Sequence, residues 1–165
     1  MTWWLWLGLI LCLLGLAGLG LSYCGQRRWA GSAQALLRKL EAGRMDGQRD
    51  AAAPPARYDV RELEGLSAPV QRYFRAALRD GQPIITAVNI DIAGRFNMSP
   101  TGEQRKPFTS RQRVTTRRPG FVWDARIAML PGVAVCVIDG FVVGKGLLQA
   151  SPQGLFTMAE VQGDG

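Results

Sequence analysis

General acid–base chemistry needs carboxylates placed to take or pass a proton, and the candidates in this sequence are Asp91, Asp124, Asp139 and Glu160. Their spacing pairs none of them. Asp124 also has an ordinary role open to it, as the partner of a cross-strand arginine. The chain contains no histidine, which removes Ser-His-Asp and Cys-His catalysis and every histidine-ligated metal site. Its three cysteines build no disulfide framework. Cys12 lies inside a long apolar run, Cys24 stands at its end, and Cys136 falls in an apolar strand pattern, where a thiol behaves as a small hydrophobe. The run "GFVVGKG", 140–146, falls short of a phosphate loop, which needs four residues between its glycines and Ser or Thr after the lysine, where this chain has Gly146. No cofactor or metal is expected, and no reaction is indicated.

Charge is concentrated at 105–118, where six basic residues occur with no acid. On a strand Arg111, Arg113 and Arg117 share a face. A solvated sheet surface accounts for such a stripe, and anionic headgroups could also meet it. Nucleic acid is not expected as a partner, because the nearby aromatics Phe108, Phe121 and Trp123 fall on the apolar parity instead of among the charges.

These groups depend on elements that begin at the N-terminus. From Trp3 to Tyr23 there are 21 residues without a charge, and a helix of that length reaches about 31 Å, the thickness of a bilayer core. Nine leucines and one isoleucine lie in the run, contributing about −3 to −6 kcal/mol towards insertion. Tryptophans at 3, 4 and 6 and Tyr23 sit at its two ends, where amphipathic rings favour the headgroup layer. A secretory signal would carry a positive n-region, and this chain begins "MTWW". For lipidation at Cys24, Leu21 and Ser22 suit the pattern and Tyr23 does not. The expectation is an uncleaved single-pass anchor with the lipid bilayer as partner.

Arg27, Arg28, Arg38 and Lys39 follow the run and no Lys or Arg precedes it. The positive-inside bias then holds the remainder in the cytoplasm, at the inner membrane. Arg27, Arg28, Arg111, Arg113 and Arg117 are the candidate membrane-surface contacts. Gly8, Gly15 and Ser22 recur every seven residues, so a second helix could pair along them.

Residues 29–42 keep helical spacing through Trp29, Ala33, Leu36, Leu37 and Leu40 and read as a helical stalk beyond the 1–28 anchor and flank. The Gly, Pro and Ala of 43–57 read as a linker. In 58–165, Asp59 and Glu62 have capping-box spacing for a short helix that Gly65 would end. An amphipathic helix after Ser67 places Val70, Tyr73, Phe74, Ala77 and Leu78 on one face, expected to cover a sheet. From residue 84 the period changes from 3.6 to 2. Val88, Ile90, Phe121, Trp123 and Ile127 are the candidate apolar face, with Val114 on the same side and Asp124 on the other. A hairpin at Pro119-Gly120 is expected to set Arg117 across from Asp124 as an exposed pair, and Asp139-Gly140 reads as a tight turn, with a second possible bend at Gly144 and Gly146.

The motifs "APVQRYF" and "KPFTSRQRVTTRRPGFVWDARIAMLPGV" resemble a family of bacterial proteins of unknown function that commonly carry a hydrophobic N-terminal segment. The resemblance covers about residues 57–165. In that family a tryptophan often stands where this chain has Arg105, and no residue inherits a catalytic role. Family members continue further, so the resemblance implies a C-terminally truncated chain whose missing strands would pair near Val161. The layout of a helix followed by antiparallel strands is also similar to bacterial lipid- and lipoprotein-carrier half-barrels.

The sequence therefore predicts an α+β fold. An N-terminal transmembrane helix, a linker and one covering amphipathic helix lead into an antiparallel sheet, open or half-barrel and incomplete. The expected function is a membrane-anchored, non-catalytic β domain that binds an apolar or lipid ligand or acts at the bilayer surface. The alternative is a structural or protein-interaction module, and an enzyme comes third.

Overall fold

The computed structural model describes residues 3–49, 57–116 and 118–164. Helix α1 runs from Trp3 to Arg49 without a break. It is long and apolar enough to cross a membrane, and its residues from Trp3 to Leu21 are exposed. After a short 3-10 turn, Val60–Leu63, and helix α2, Ala68–Ala77, six antiparallel strands follow. They are β1 (Ala87–Asn97), β2 (Arg105–Thr115), β3 (Gly120–Leu130), β4 (Val133–Val142), β5 (Lys145–Pro152) and β6 (Ala159–Asp164). Each pairs with its sequence neighbour, giving an open meander with β1 and β6 at the edges among the described residues. The α+β architecture with an open sheet is as the sequence predicts.

Two elements differ from expectation. The helix covering the sheet is the second half of α1, whose Trp29, Ala33 and Leu40 form the core with Val122, Cys136, Ile138 and Val142. Helix α2 buries none of its residues and leaves Val70 and Tyr73 exposed. It packs instead on the 3-10 turn, and the segment that follows it is bonded to the same region, Tyr58 N–H donating to the Gln82 carbonyl, Gly81 N–H to the Tyr58 carbonyl and Val60 N–H to Asp80 Oδ1. The 3-10 turn has its capping box from Asp59 and Glu62 as read. The helix also continues through 43–49, the first part of the expected linker, while 50–56 lie outside the described residues.

Strand pairing determines which side chains share a face, because directly opposed residues point the same way. Thr115 opposes Gly120, so the β2–β3 loop is 116–119 and Asp124 lies opposite Arg111, not Arg117. Arg117 itself is outside the described residues. Val114 opposes Phe121, on the side of the sheet that carries Trp123 and Ile127, and Asp124 is on the other side, as the alternation predicts. Asp139 and Gly140 do not turn the chain. They lie within β4 opposite Trp123 and Val122, and the reversal comes at Val143 and Gly144, whose φ values of 52° and 79° suit a two-residue hairpin turn.

Strand β4 belongs to both faces. Cys136 and Ile138 point to α1 and are buried, while Val135 and Val137 join the opposite face. The nearly continuous apolar run of "VAVCVI" serves the α1 contact on one side and the open apolar face on the other. In β1 to β3 the two faces differ sharply. Asn89, Asp91, Arg111, Arg113, Asp124 and Arg126 lie on the α1 side, and Val88, Ile90, Ile92, Val114, Phe121, Trp123, Ala125 and Ile127 lie on the other.

Candidate functional site

The open face away from α1 is the main unpartnered surface the sheet presents. Phe96 meets Phe108 edge-on at 5.9 Å between ring centroids, and Phe108 lies 6.4 Å from Trp123. Beneath this aromatic row Ala125 and Ile127 are buried. Around it Val88, Ile90, Ile92, Leu148 and Val161 remain between 38% and 64% exposed. The structure thus brings all five members of the expected apolar face together. Polar residues also lie on this face: Lys106 opposite Phe96, Gln112 opposite Ile90 and Trp123, and Asp139 opposite Trp123. The Ser110 hydroxyl is buried and has no hydrogen-bond partner among the described residues. Its opposition to Ile92 and Ala125 places it on the apolar side.

The expected basic stripe has another fate. Arg113 Nε donates to Glu41 Oε1 at 2.7 Å, and Glu41 Oε2 accepts from Arg44. Arg113 therefore fastens the stalk to β2. Arg111 is exposed and pairs with Asp91 at 3.4 Å. A cleft of about 640 Å³ beside α1 joins apolar residues such as Ala33, Leu37 and Val122 to the balanced charges of Glu41, Asp124, Arg111 and Arg126. Arg27 and Arg28 are exposed next to the apolar run, and Arg27 donates to the Tyr23 hydroxyl. A Cβ at Gly8 or Gly15 would meet nothing outside the helix backbone within 4 Å, whereas Ser22 Oγ accepts from Gln153 Nε2 at 3.4 Å.

Burial tends to raise the Glu41 carboxyl, but its hydrogen bonds to Arg44 and Arg113 and their charges outweigh this and hold it below its ordinary value. A lowered carboxyl stabilises the fold above its unfolded pKa, and the gain is lost as pH falls through the folded one. We expect Glu41→Gln to cost about 1 kcal/mol near neutrality, discounted for partial exposure. The gap from the parent should close in melts taken below about pH 4, near the ordinary glutamate value. A gap that persists unchanged at low pH would mean that the charge contributes nothing.

Of the four carboxylates, Asp91 and Asp124 flank Arg111 and line one cleft, each already partnered, while Asp139 and Glu160 lie apart from them. Asp91 is bound to Arg111, Asp124 accepts from Trp29 Nε1 at 2.9 Å, Asp139 lies on the opposite face beside Trp123, and Glu160 sits on β6 bonded to Gln162. Among the described residues no three of Cys, Asp and Glu gather where a metal ion could be held. Burial pushes the Cys136 thiol up, away from the thiolate that nucleophilic chemistry requires. "GFVVGKG" forms the end of β4, the turn and the start of β5.

Sequence reasoning missed the roles of Trp29 and Glu41. The heptad-like spacing of Trp29, Leu36 and Gly43, with Ala33 and Leu40 between them, was the available signal that the stalk has one packing face. No curated protein and no solved structure matches the chain. A family of unknown function, DUF6920, matches residues 64–165. That stretch contains α2 and all six strands and is more than half of the chain, which therefore belongs to DUF6920.

Proposed function

We propose that this chain is a membrane-anchored, non-catalytic β domain that holds an apolar or lipid ligand on the open face of its sheet. The observation that supports it best is the apolar surface of Phe96, Phe108 and Trp123 with Val88, Ile90 and Ile92 beside them, left uncovered while α1 covers the more polar side. Exposed apolar area of this kind is costly in water and marks a binding surface. Trp3–Tyr23 serves as the anchor in the inner membrane, and Arg27, Arg28, Arg38 and Lys39 favour a cytoplasmic sheet.

The test is titration of the full chain in detergent with a fluorescent fatty acid, comparing the parent with Ile90→Asp and Trp123→Asp. Binding should weaken about tenfold or more, as expected when a charge faces an acyl chain. The melts should shift little for Ile90→Asp, because Ile90 is exposed. Equal affinity of all three proteins would remove the apolar face as the site.

A further inference from the structure

The end of the apolar run is joined to two turns of the sheet. Gly25, one residue after Cys24, packs so closely on the β5–β6 loop that a Cβ there would meet the Gln153 carbonyl oxygen and the Leu155 side chain. Gln153 links that loop to the β3–β4 turn, donating from Nε2 to the Gly132 carbonyl at 2.6 Å and accepting from Ala134 N–H at Oε1. The same Nε2 reaches Ser22 Oγ. Both turns are thus fixed level with Ser22 and Gly25, where α1 passes from its uncharged run to Arg27 and Arg28.

These turns carry large apolar side chains that are mostly exposed. Leu130 is 67% exposed, Phe156 62% and Met158 60%. The opposite end of the sheet, at Gly43, Arg118 and Val143, is one strand length further along α1.

We propose that the β3–β4 turn and the β5–β6 loop form a second membrane contact, with Leu130, Phe156 and Met158 inserted into the leaflet from which α1 emerges. The proposal rests on α1 spanning the bilayer. Continuity with the span selects the bilayer as the occupant, since any soluble partner would have to compete with headgroups for side chains already at their level. Arg27 and Arg28, exposed on the adjoining helix turn, supply the charge that favours an anionic leaflet. The contact fixes the sheet upright, and Phe96 and Phe108, at the same end of the open face, then lie nearest the lipid. A ligand drawn from the membrane could pass onto that face without crossing water.

Depth-dependent quenching decides the matter. The full chain carrying L130C or F156C, with native cysteines replaced by alanine, is labelled with an environment-sensitive fluorophore and reconstituted in phosphatidylcholine vesicles containing phosphatidylglycerol. Doxyl-labelled lipids should quench both labels strongly, as for groups about 5–10 Å below the headgroups. A V143C label at the far end should escape. An L11C label in the span serves as the reference. Strong quenching at L11C with rim labels as unquenched as V143C would overturn the rim contact alone, and an unquenched L11C would overturn the anchor and the rim together. Parent-like circular dichroism is expected for the rim variants, because both replaced side chains are exposed.

Discussion

Replacing Trp29 by alanine should lower the melting temperature of the full chain in detergent by about 10–20 °C, corresponding to a loss of about 3–5 kcal/mol. Trp29 is 4% exposed and belongs to the core that α1 forms with the sheet. Removing the indole leaves a void that α1 cannot close, because Gly25 is already in contact with the β5–β6 loop one turn earlier. It also deprives Asp124 of its indole hydrogen bond. Trp29→Phe separates the two effects. Phenylalanine keeps most of the buried ring and loses only the donor, so it should cost about 1–2 kcal/mol, the range for a hydrogen bond to a charged group with partial burial. Asp124→Asn should then cost little in the Trp29→Phe background, since the pair no longer interacts. A Trp29→Ala melt within about 2 °C of the parent would show that the stalk is not part of the folding unit.

The sequence made the β-structure legible for a local reason. In β1 to β3 the alternation of Val88, Ile90 and Ile92 with Asn89 and Asp91, and of Phe121, Trp123 and Ala125 with Val122 and Asp124, follows the pleat, so parity could be read from short windows. The gathering of the candidate apolar face follows from the same periodicity. What covers each face is a non-local question. Val70, Tyr73 and Phe74 make α2 look like a covering helix, yet it packs on the 3-10 turn, and the residues after it, Asp80 to Gln82, bond to Tyr58 and Val60. Trp29, Ala33 and Leu40 have the same helical spacing, and only their position at the foot of the anchor distinguishes them.

The face assignment inverted a second expectation. Polar parity ordinarily indicates solvent, and Arg113 was read as a surface contact. Here the polar side of β1 to β3 borders α1, and Arg113 is satisfied by Glu41, 72 residues away in sequence. No window of sequence contains that pair. The register of the β2–β3 hairpin was misjudged for a related reason. Thr115 is buried, with Oγ1 donating to the Gly120 carbonyl, so the ladder continues up to Gly120 and the loop falls before the glycine.

Gly25→Leu should destabilise the chain by about 2 kcal/mol, despite the gain of about 1 kcal/mol that replacing a helical glycine normally brings. The obstacle is backbone. A side chain at 25 meets the Gln153 carbonyl and comes within 2.9 Å of Leu155 Cδ2. On the facing loop Gly154 has φ 70°, and a Cβ there would meet the Gly25 carbonyl and approach Trp29 Cβ to 2.8 Å. The two glycines therefore form one contact, and α1 can reach the sheet only because both lack side chains. Gly154→Ala carries backbone strain in addition, so it should cost more than its volume alone implies. Because either replacement already separates the loop from the helix, the double variant should lose less than the sum of the two singles. Hydrogen exchange localises the response: protection should fall at Gln153 to Leu155 and around Gly132, which Gln153 holds, while the amides of Val122 and Ile138 in the sheet centre keep theirs. Strictly additive losses, or deprotection spread evenly through the sheet, would mean that the glycines act separately and that the loop is not clamped to the foot of the anchor.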